Sequence, residues 1–447
     1  MQLFPTARDT IYQVAGDLKS GRRTCSDVLG QCLARIDECE PQVHAWVHLD
    51  RDGSRKQAEF LDRELAAGRW RGMLHGIPLG IKDIIDMAGL PTAAGSRLLA
   101  QQLAAEDATV VTRLRTAGAV ILGKTVTTQF ASFDPPITRN PWNVERTPGG
   151  SSSGSAAAVA TGMCLGAIGS QTGGSITRPA AFCGVAGCKP SFRRVSMHGV
   201  FPLAPSLDHV GTIARCVRDL AIVLDVISGA DPRDSDCLTE TALVAEGTLA
   251  GKSAAAPRLG RLRGLFDTLA APVMKQALDF ALRKLIAGGA TVVEAPLPAS
   301  FDTVLAHHRT IMAKELAGAH KQRLADHPED YLPRIRSLIE EGLGIPEDDY
   351  PRSQAHQERL AGELRNAFEG VDVLVCPATI GPAPDASTTG DPAFNSPWSY
   401  TGLPTITFPM GLDPEGLPLG IQFVGPRLGE VGLFRAAAWC ESWITSD

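Results

Sequence analysis

The sequence predicts an α/β protein: one large α/β/α domain whose central mixed, largely parallel twisted sheet is covered by helices. Three observations carry this reading. Helix-then-strand units occur at Val110 to Leu122 and again at Val273 to Val293, and repeated units of that kind lay helices over a parallel sheet. Strand-like segments recur near the end of the chain, at Asp372 to Cys376, Pro404 to Phe408 and Gly420 to Val424. No internal repeat or long low-complexity linker divides the 447 residues. Length alone suggests about three domains, but sheet-forming segments towards both ends argue for a single interwoven domain over 1–447. Within it, 1–70 reads as an N-terminal helical segment packed on the core, 73–215 as the motif-bearing core, and 300–370 as a helical insertion.

Each element has its own signal. From Thr24 to Glu38, Val28, Leu29, Cys32, Leu33 and Ile36 recur at helical spacing after the capping residues Thr24 and Ser26. Residues 73–88 read as a short buried strand interrupted by one lysine, Lys82. Val110 to Thr116 is helical and Ala117 to Lys124 continues as a strand. Between Phe130 and Pro205 the composition turns to Gly, Ser, Thr and Pro, and the small residues from Ala156 to Gly169 suit tight packing in a core. A second helix ends at Gly288-Gly289 before the strand Ala290 to Glu294. Residues 300–370 are charged and helical, with turn signals at Pro328 and Pro346.

Composition excludes several function classes. Lys and Arg total 43 against 49 Asp and Glu, a formal net charge of -6, so no basic excess is available to neutralise a phosphate backbone. No stretch reaches the roughly 18 apolar residues of a membrane helix. Met1 to Pro5 lacks the basic-then-apolar pattern of a secretory leader, which predicts a cytoplasmic protein. Cys25, Cys32 and Cys39 fall seven apart on one helix face, and Cys183 and Cys188 lack the spacing of zinc or redox pairs; buried thiols of this sort behave as small hydrophobes. His307 and His308 are adjacent, so on a helix they point about 100° apart and chelate poorly. No metal and no cofactor is expected.

Two loops and one lysine carry the chemical interest. Gly149 to Ser155 and Gln171 to Ser175 are Gly/Ser-rich, yet each runs directly into an apolar small-residue stretch, which a flexible linker would not need. Neither ends in the Gly-Lys-Ser/Thr of a phosphate-binding loop. Gly150-Ser-Ser152-Ser-Gly154 matches a serine-hydrolase elbow, which would pair Ser152 with His198 or His209. Lys82, set among isoleucines, either pairs with Asp83 or Asp86, reaches the surface by its stem, or is held neutral by burial and acts as a base. A base of the last kind needs a hydroxyl to activate, and the two serine-rich loops supply several.

Gly76-Ile-Pro-Leu-Gly-Ile-Lys82-Asp83, Gly149-Gly-Ser151-Ser-Ser-Gly-Ser-Ala156 and Thr172-Gly-Gly-Ser175-Ile-Thr-Arg178-Pro-Ala180 resemble the amidase signature hydrolases. The spacings, 69 residues from Lys82 to Ser151 and 24 from Ser151 to Ser175, are also family-like. The resemblance spans almost the whole chain, including Gly402-Leu-Pro404 and Gly416 to Gln422, and is closest in pattern to the malonamidase type. It implies the amidase signature fold and a Ser-cis-Ser-Lys triad: Ser175 as nucleophile, Ser151 after a cis peptide from Gly150 as proton relay, and neutral Lys82 as base. It further implies an oxyanion hole from the N–H groups of Thr172, Gly173 and Gly174, supporting roles for Ser152 and Gly150, and an acyl-enzyme. Two departures matter. Many members have Asp at Gln171 and Arg at Thr177, whereas here the arginine is Arg178. The malonamidase pattern has Arg at that place, where it binds a substrate carboxylate, so the resemblance makes Arg178 and Gln171 substrate-binding; the alternative for Arg178 is a structural ion pair or a cap on backbone carbonyls. The implied activity is hydrolysis of a small amide, carboxylate-bearing or neutral, or of a carbamate, with no nucleic acid or membrane partner and room for a homodimer. An A-type component of an amidotransferase is the alternative, weakened by the two departures and the acidic charge.

Overall fold

Thr24 opens the first of the expected helices with a reciprocal cap: its side chain accepts the Asp27 N–H at 3.0 Å, and the Asp27 carboxylate accepts the Thr24 N–H at 3.0 Å. The helix runs Cys25–Val43, past Glu38, and buries Cys25, Cys32 and Cys39 on one face. The structure, a computed structural model, describes residues 9–239, 243, 245–249 and 255–445. Met1 to Pro5, and the first eight residues of the 1–70 segment, lie outside them.

Eleven strands form one sheet: β1 (Trp46–Leu49), β2 (Pro78–Lys82), β3 (Val120–Thr125), β4 (Gly166–Gln171), β5 (Ala186–Lys189), β6 (His209–Ala214), β7 (Arg258–Arg261), β8 (Thr291–Glu294), β9 (Val373–Pro377), β10 (Thr405–Leu412) and β11 (Pro418–Val424). Their order is β1-β3-β2-β4-β6-β5-β10-β11-β9-β7-β8. The large α/β architecture with a mixed sheet is as predicted, but the sheet is less parallel than expected. Six of its ten neighbouring pairs are antiparallel, and the four parallel ones sit towards the flanks. The reason is connectivity. The two helix-then-strand units do make parallel pairs, through the helices Thr109–Thr116 before β3 and Pro272–Ala287 before β8. The strands in the middle are reached by other routes: β10 and β11, for example, are joined by a tight turn, which forces an antiparallel pair.

The strand expected over 73–88 is confined to β2. Beyond Lys82 the chain turns, with the Ile84 and Ile85 N–H groups donating to the Lys82 carbonyl at 2.8 and 3.0 Å. Residues 300–370 form the helices Val304–Asp326, Pro333–Gly344 and Asp349–Glu363, broken where Pro328 and Pro346 stand. β2 and β4 are parallel neighbours, with Ile81 beside Ile168. Their C-terminal ends therefore emerge together at one edge of the sheet, where open α/β sheets place their ligands.

The Gly149 to Ser155 run leads into the helix Ser153–Thr161, all nine residues of which are buried. That helix lies close to neighbouring backbone: a Cβ on Gly154 would stand 2.2 Å from the Ala45 carbonyl oxygen and 2.4 Å from the Val126 nitrogen. Neither atom can retreat without breaking the Val126 N–H to Ala45 hydrogen bond of 2.8 Å. Gly154→Ala is expected to lower stability by about 1–3 kcal/mol or more, as overpacking does. Urea denaturation checks this, and an unchanged midpoint would contradict so close an approach.

Candidate active site

Lys82 ends β2 and is fully buried. It pairs with neither aspartate. Asp83 turns to Lys124, 3.0 Å away, and Asp86 accepts the Thr92 hydroxyl at 2.6 Å. The ion-pair and surface-reaching alternatives for Lys82 are therefore not formed. Its Nζ lies instead 2.6 Å from Ser151 Oγ and 2.8 Å from Ser170 Oγ. Burial without an adjacent carboxylate disfavours the ammonium, so the amine is held well below its usual range, opposed only by the more distant charge of Asp208. A neutral amine at hydrogen-bond distance from a serine hydroxyl can take its proton.

The peptide between Gly150 and Ser151 is cis. Gly150 has no room for a side chain, since a Cβ would stand 2.8 Å from Thr389 Cγ2. Ser151 is buried, and its carbonyl accepts the Thr128 N–H at 3.3 Å. The next residue ties the two serine loops together: the Ser152 N–H donates to the Ser175 carbonyl at 3.2 Å. Ser175 keeps 7% exposure, against none for Ser151 and Ser152.

Ser152 is not the nucleophile of a Ser-His-Asp site. Its Oγ donates to the Ser170 carbonyl at 3.2 Å and accepts the Ser170 N–H at 3.3 Å, so the hydroxyl is committed to backbone. His209 lies by the Leu207 carbonyl at 2.7 Å, and His198 by Glu106 at 3.1 Å. Neither histidine meets Ser152.

Gln171 also departs from the expectation that it touches substrate. It is fully buried, and its Oε1 accepts the Ile176 N–H at 2.9 Å, the Thr177 N–H at 3.0 Å and the Thr177 hydroxyl at 3.1 Å. Its amide nitrogen donates to Ser399 Oγ at 3.2 Å. The side chain thus fastens the turn that follows Ser175, which requires an acceptor facing three donors, and no lone pair remains aimed at a ligand.

Arg178 is buried as well. Its Nη2 donates to the Gly150 carbonyl at 2.8 Å and to Thr389 Oγ1 at 3.4 Å, so it does cap a backbone carbonyl. Its Nε and Nη1 meet no acceptor among the described residues. Burial lowers it to about 10, against the favourable charge of Asp391. A guanidinium with two idle, dehydrated donors is suited to a planar carboxylate.

Ser170 and Asp208 join the site without a sequence signal. Asp208 is buried, accepts the Thr172 hydroxyl at 2.5 Å and the Leu203 and Ala204 N–H groups at 2.8 and 3.0 Å, and is raised by burial to about 6. A serine preceding the Gln171 loop and an aspartate far beyond it become partners of Lys82 and Thr172 only through the pairing of β4 with β2 and β6. Among the described residues, no three His, Cys, Asp or Glu side chains cluster as metal ligands would.

Comparison with known proteins bears on the family and the fold. Residues 27–434 match the Amidase family. The chain is 37% identical to the A-type component of the glutamyl-tRNA(Gln) amidotransferase of Roseiflexus castenholzii, covering 97% of this chain and 95% of that one. Among solved structures it is similar to one from a vestigial protein complex tied to the origins of an s-triazine catabolic enzyme, at TM-score 0.91 and 30% identity, covering 97% and 98% of the two chains. It is also similar to the native peptide amidase of Stenotrophomonas maltophilia, at TM-score 0.84 and 31% identity, covering 98% and 97%.

The electrostatics around Lys82 make a signed prediction. Asp208 is the charge that favours the ammonium, so Asp208→Asn removes that support and lets Lys82 lose its proton at lower pH. The acid limb of the pH profile for Ser175 labelling by a fluorophosphonate is expected to move to lower pH in the variant. A shift to higher pH would contradict the assigned direction.

Proposed function

The chain belongs to the amidase family, and on that premise we propose that it hydrolyses a small amide, carboxylate-bearing by preference, or a related carbamate, through Lys82, Ser151 and Ser175. The observation that carries the reading is the 2.6 Å approach of Lys82 Nζ to Ser151 Oγ in a buried setting without an adjacent carboxylate. Ser175 Oγ attacks the amide carbon while its proton passes to Ser151 Oγ, whose own proton passes to neutral Lys82. Backbone N–H groups of the Thr172 to Ser175 loop receive the developing oxyanion. Collapse of the tetrahedral intermediate breaks the C–N bond as the relay returns a proton to the leaving nitrogen, so that an amine and not an amide anion departs. Water, deprotonated by the same relay, then releases the acid from the Ser175 ester.

A second reading, an A-type component of an amidotransferase complex, is favoured by the 37% identity to such a chain. Against it stand the idle donors of Arg178, which suit a small carboxylate, and the net charge of -6, which leaves no basic excess to meet RNA. The purified chain hydrolysing small amides alone supports the first reading; activity seen only with co-purifying partners supports the second.

Ser175→Ala is expected to abolish turnover across a panel of small amides, half-amides and carbamates, and Lys82→Ala and Ser151→Ala to lower it by about 10³-fold or more. Mass spectrometry should find the acyl or phosphonyl adduct on Ser175. Full activity in Ser175→Ala would overturn the proposal. For the carboxylate preference, Arg178→Ala is expected to weaken kcat/KM for a half-amide about tenfold or more beyond its effect on the matching neutral diamide, the scale of a lost charged hydrogen bond. Equal losses on both substrates would leave Arg178 only its hold on Gly150.

A further inference from the structure

The nucleophile loop is held by groups that lie far from it in sequence. His308, on the helix Val304–Asp326, sits with Nε2 3.0 Å from the Thr172 carbonyl oxygen. A carbonyl can only accept, so Nε2 carries the proton, and burial keeps the ring neutral by lowering it to about 4. Ser399, on the short helix Ser396–Tyr400, donates its hydroxyl to the Gly173 carbonyl at 2.8 Å. The Arg178 N–H donates to the Gly174 carbonyl at 2.9 Å. Three successive carbonyls are therefore each pinned by a separate donor.

In a trans peptide the N–H points opposite to the C=O. Of the peptides in the two serine loops only Gly150–Ser151 is cis. Fixing the carbonyls of Thr172, Gly173 and Gly174 therefore fixes the directions of the Gly173, Gly174 and Ser175 N–H groups, away from His308, Ser399 and the Arg178 amide. Gly173 closely faces both anchoring helices: a Cβ there would stand 3.2 Å from Ser396 Oγ and 3.6 Å from His308 Cε1. Left unpinned, glycine peptides rotate readily, and a donor that must be reoriented during the reaction loses much of its value.

We infer that His308 and Ser399 are positioning residues that hold the peptide planes of the Thr172 to Ser175 loop so that its N–H groups are preset for the oxyanion. This rests on the proposed acyl-transfer chemistry at Ser175, and it assigns to the helix Val304–Asp326 a part in the reaction. His308 does not touch the reacting atoms. It acts through the Thr172 carbonyl.

The test uses the full chain and a fluorophosphonate probe, whose phosphoryl oxygen needs the same donors, with the rate of Ser175 modification read by intact mass. His308→Ala is expected to slow labelling about ten- to a hundredfold, with a thermal midpoint close to that of the parent. His308→Gln, which can return an amide N–H near the Nε2 position, is expected to recover to within about fivefold. Ser399→Ala, an independent anchor, should slow labelling in the same sense. On a turned-over amide the loss should fall in kcat, with KM changed less than about threefold. Parental labelling rates in both His308→Ala and Ser399→Ala, or a His308→Gln variant no faster than His308→Ala, would overturn the inference. Absence of Ser175 labelling in the parent protein would instead count against the triad itself.

Discussion

A lysine amine kept dry and denied an adjacent carboxylate is the constraint around which this molecule is arranged. Three buried lysines among the described residues are each treated differently. Lys124 meets Asp83 at 3.0 Å. Lys189 gives its hydrogens to the Leu403 and Pro190 carbonyls at 2.6 and 3.1 Å and is lowered to about 7 by burial. Lys82 meets the hydroxyls of Ser151 and Ser170. Hydroxyls solvate an amine adequately but compensate an ammonium poorly, so burial favours the neutral amine. The same feature that would be a defect in a purely structural core is what the proposed chemistry asks of its base.

Keeping Asp83 away from Lys82 takes some construction. The two are adjacent in sequence, and the chain turns just after β2, with successive side chains leaving in different directions. Asp83 is claimed by Lys124, which ends beside it because β3 runs parallel to β2. The Lys124–Asp83 pair thus satisfies two buried charges and at the same time leaves Lys82 without a counterion. Asp208, the remaining acid that influences Lys82, is itself raised to about 6 by burial and occupied by Thr172 and two backbone N–H groups.

The loop bearing Ser175 is organised on the same principle of committed polar groups. Gln171 commits its oxygen to three donors of the following turn, Ser152 commits its hydroxyl to Ser170, and His308 and Ser399 occupy the carbonyls of Thr172 and Gly173. Each bond removes a freedom that a glycine-rich loop would otherwise have. The two serine loops are joined directly by the Ser152 N–H to the Ser175 carbonyl, which ties the segment that follows Ser151 to the segment holding Ser175.

Much of this is legible in the chain itself. The helix Cys25–Val43, the units before β3 and β8 and the proline breaks in 300–370 rest on local spacing and on residue chemistry that holds wherever the segment lies, and the set Lys82, Ser151, Ser175 is singled out by the motifs that resemble the amidase signature hydrolases. Three things are decided only by the tertiary structure. The sheet's pairing directions depend on which distant strands meet, which periodicity does not encode. The roles of Gln171 and Arg178 turn on what surrounds them, one side chain fully engaged and the other with two idle nitrogens. Ser170, Asp208, His308 and Ser399 carry no motif at all, because their part in the site arises from strand pairing and helix packing between segments as far apart as Thr172 and Ser399. Sequence determines which groups can do the chemistry, whereas only packing determines which of them are left without a partner.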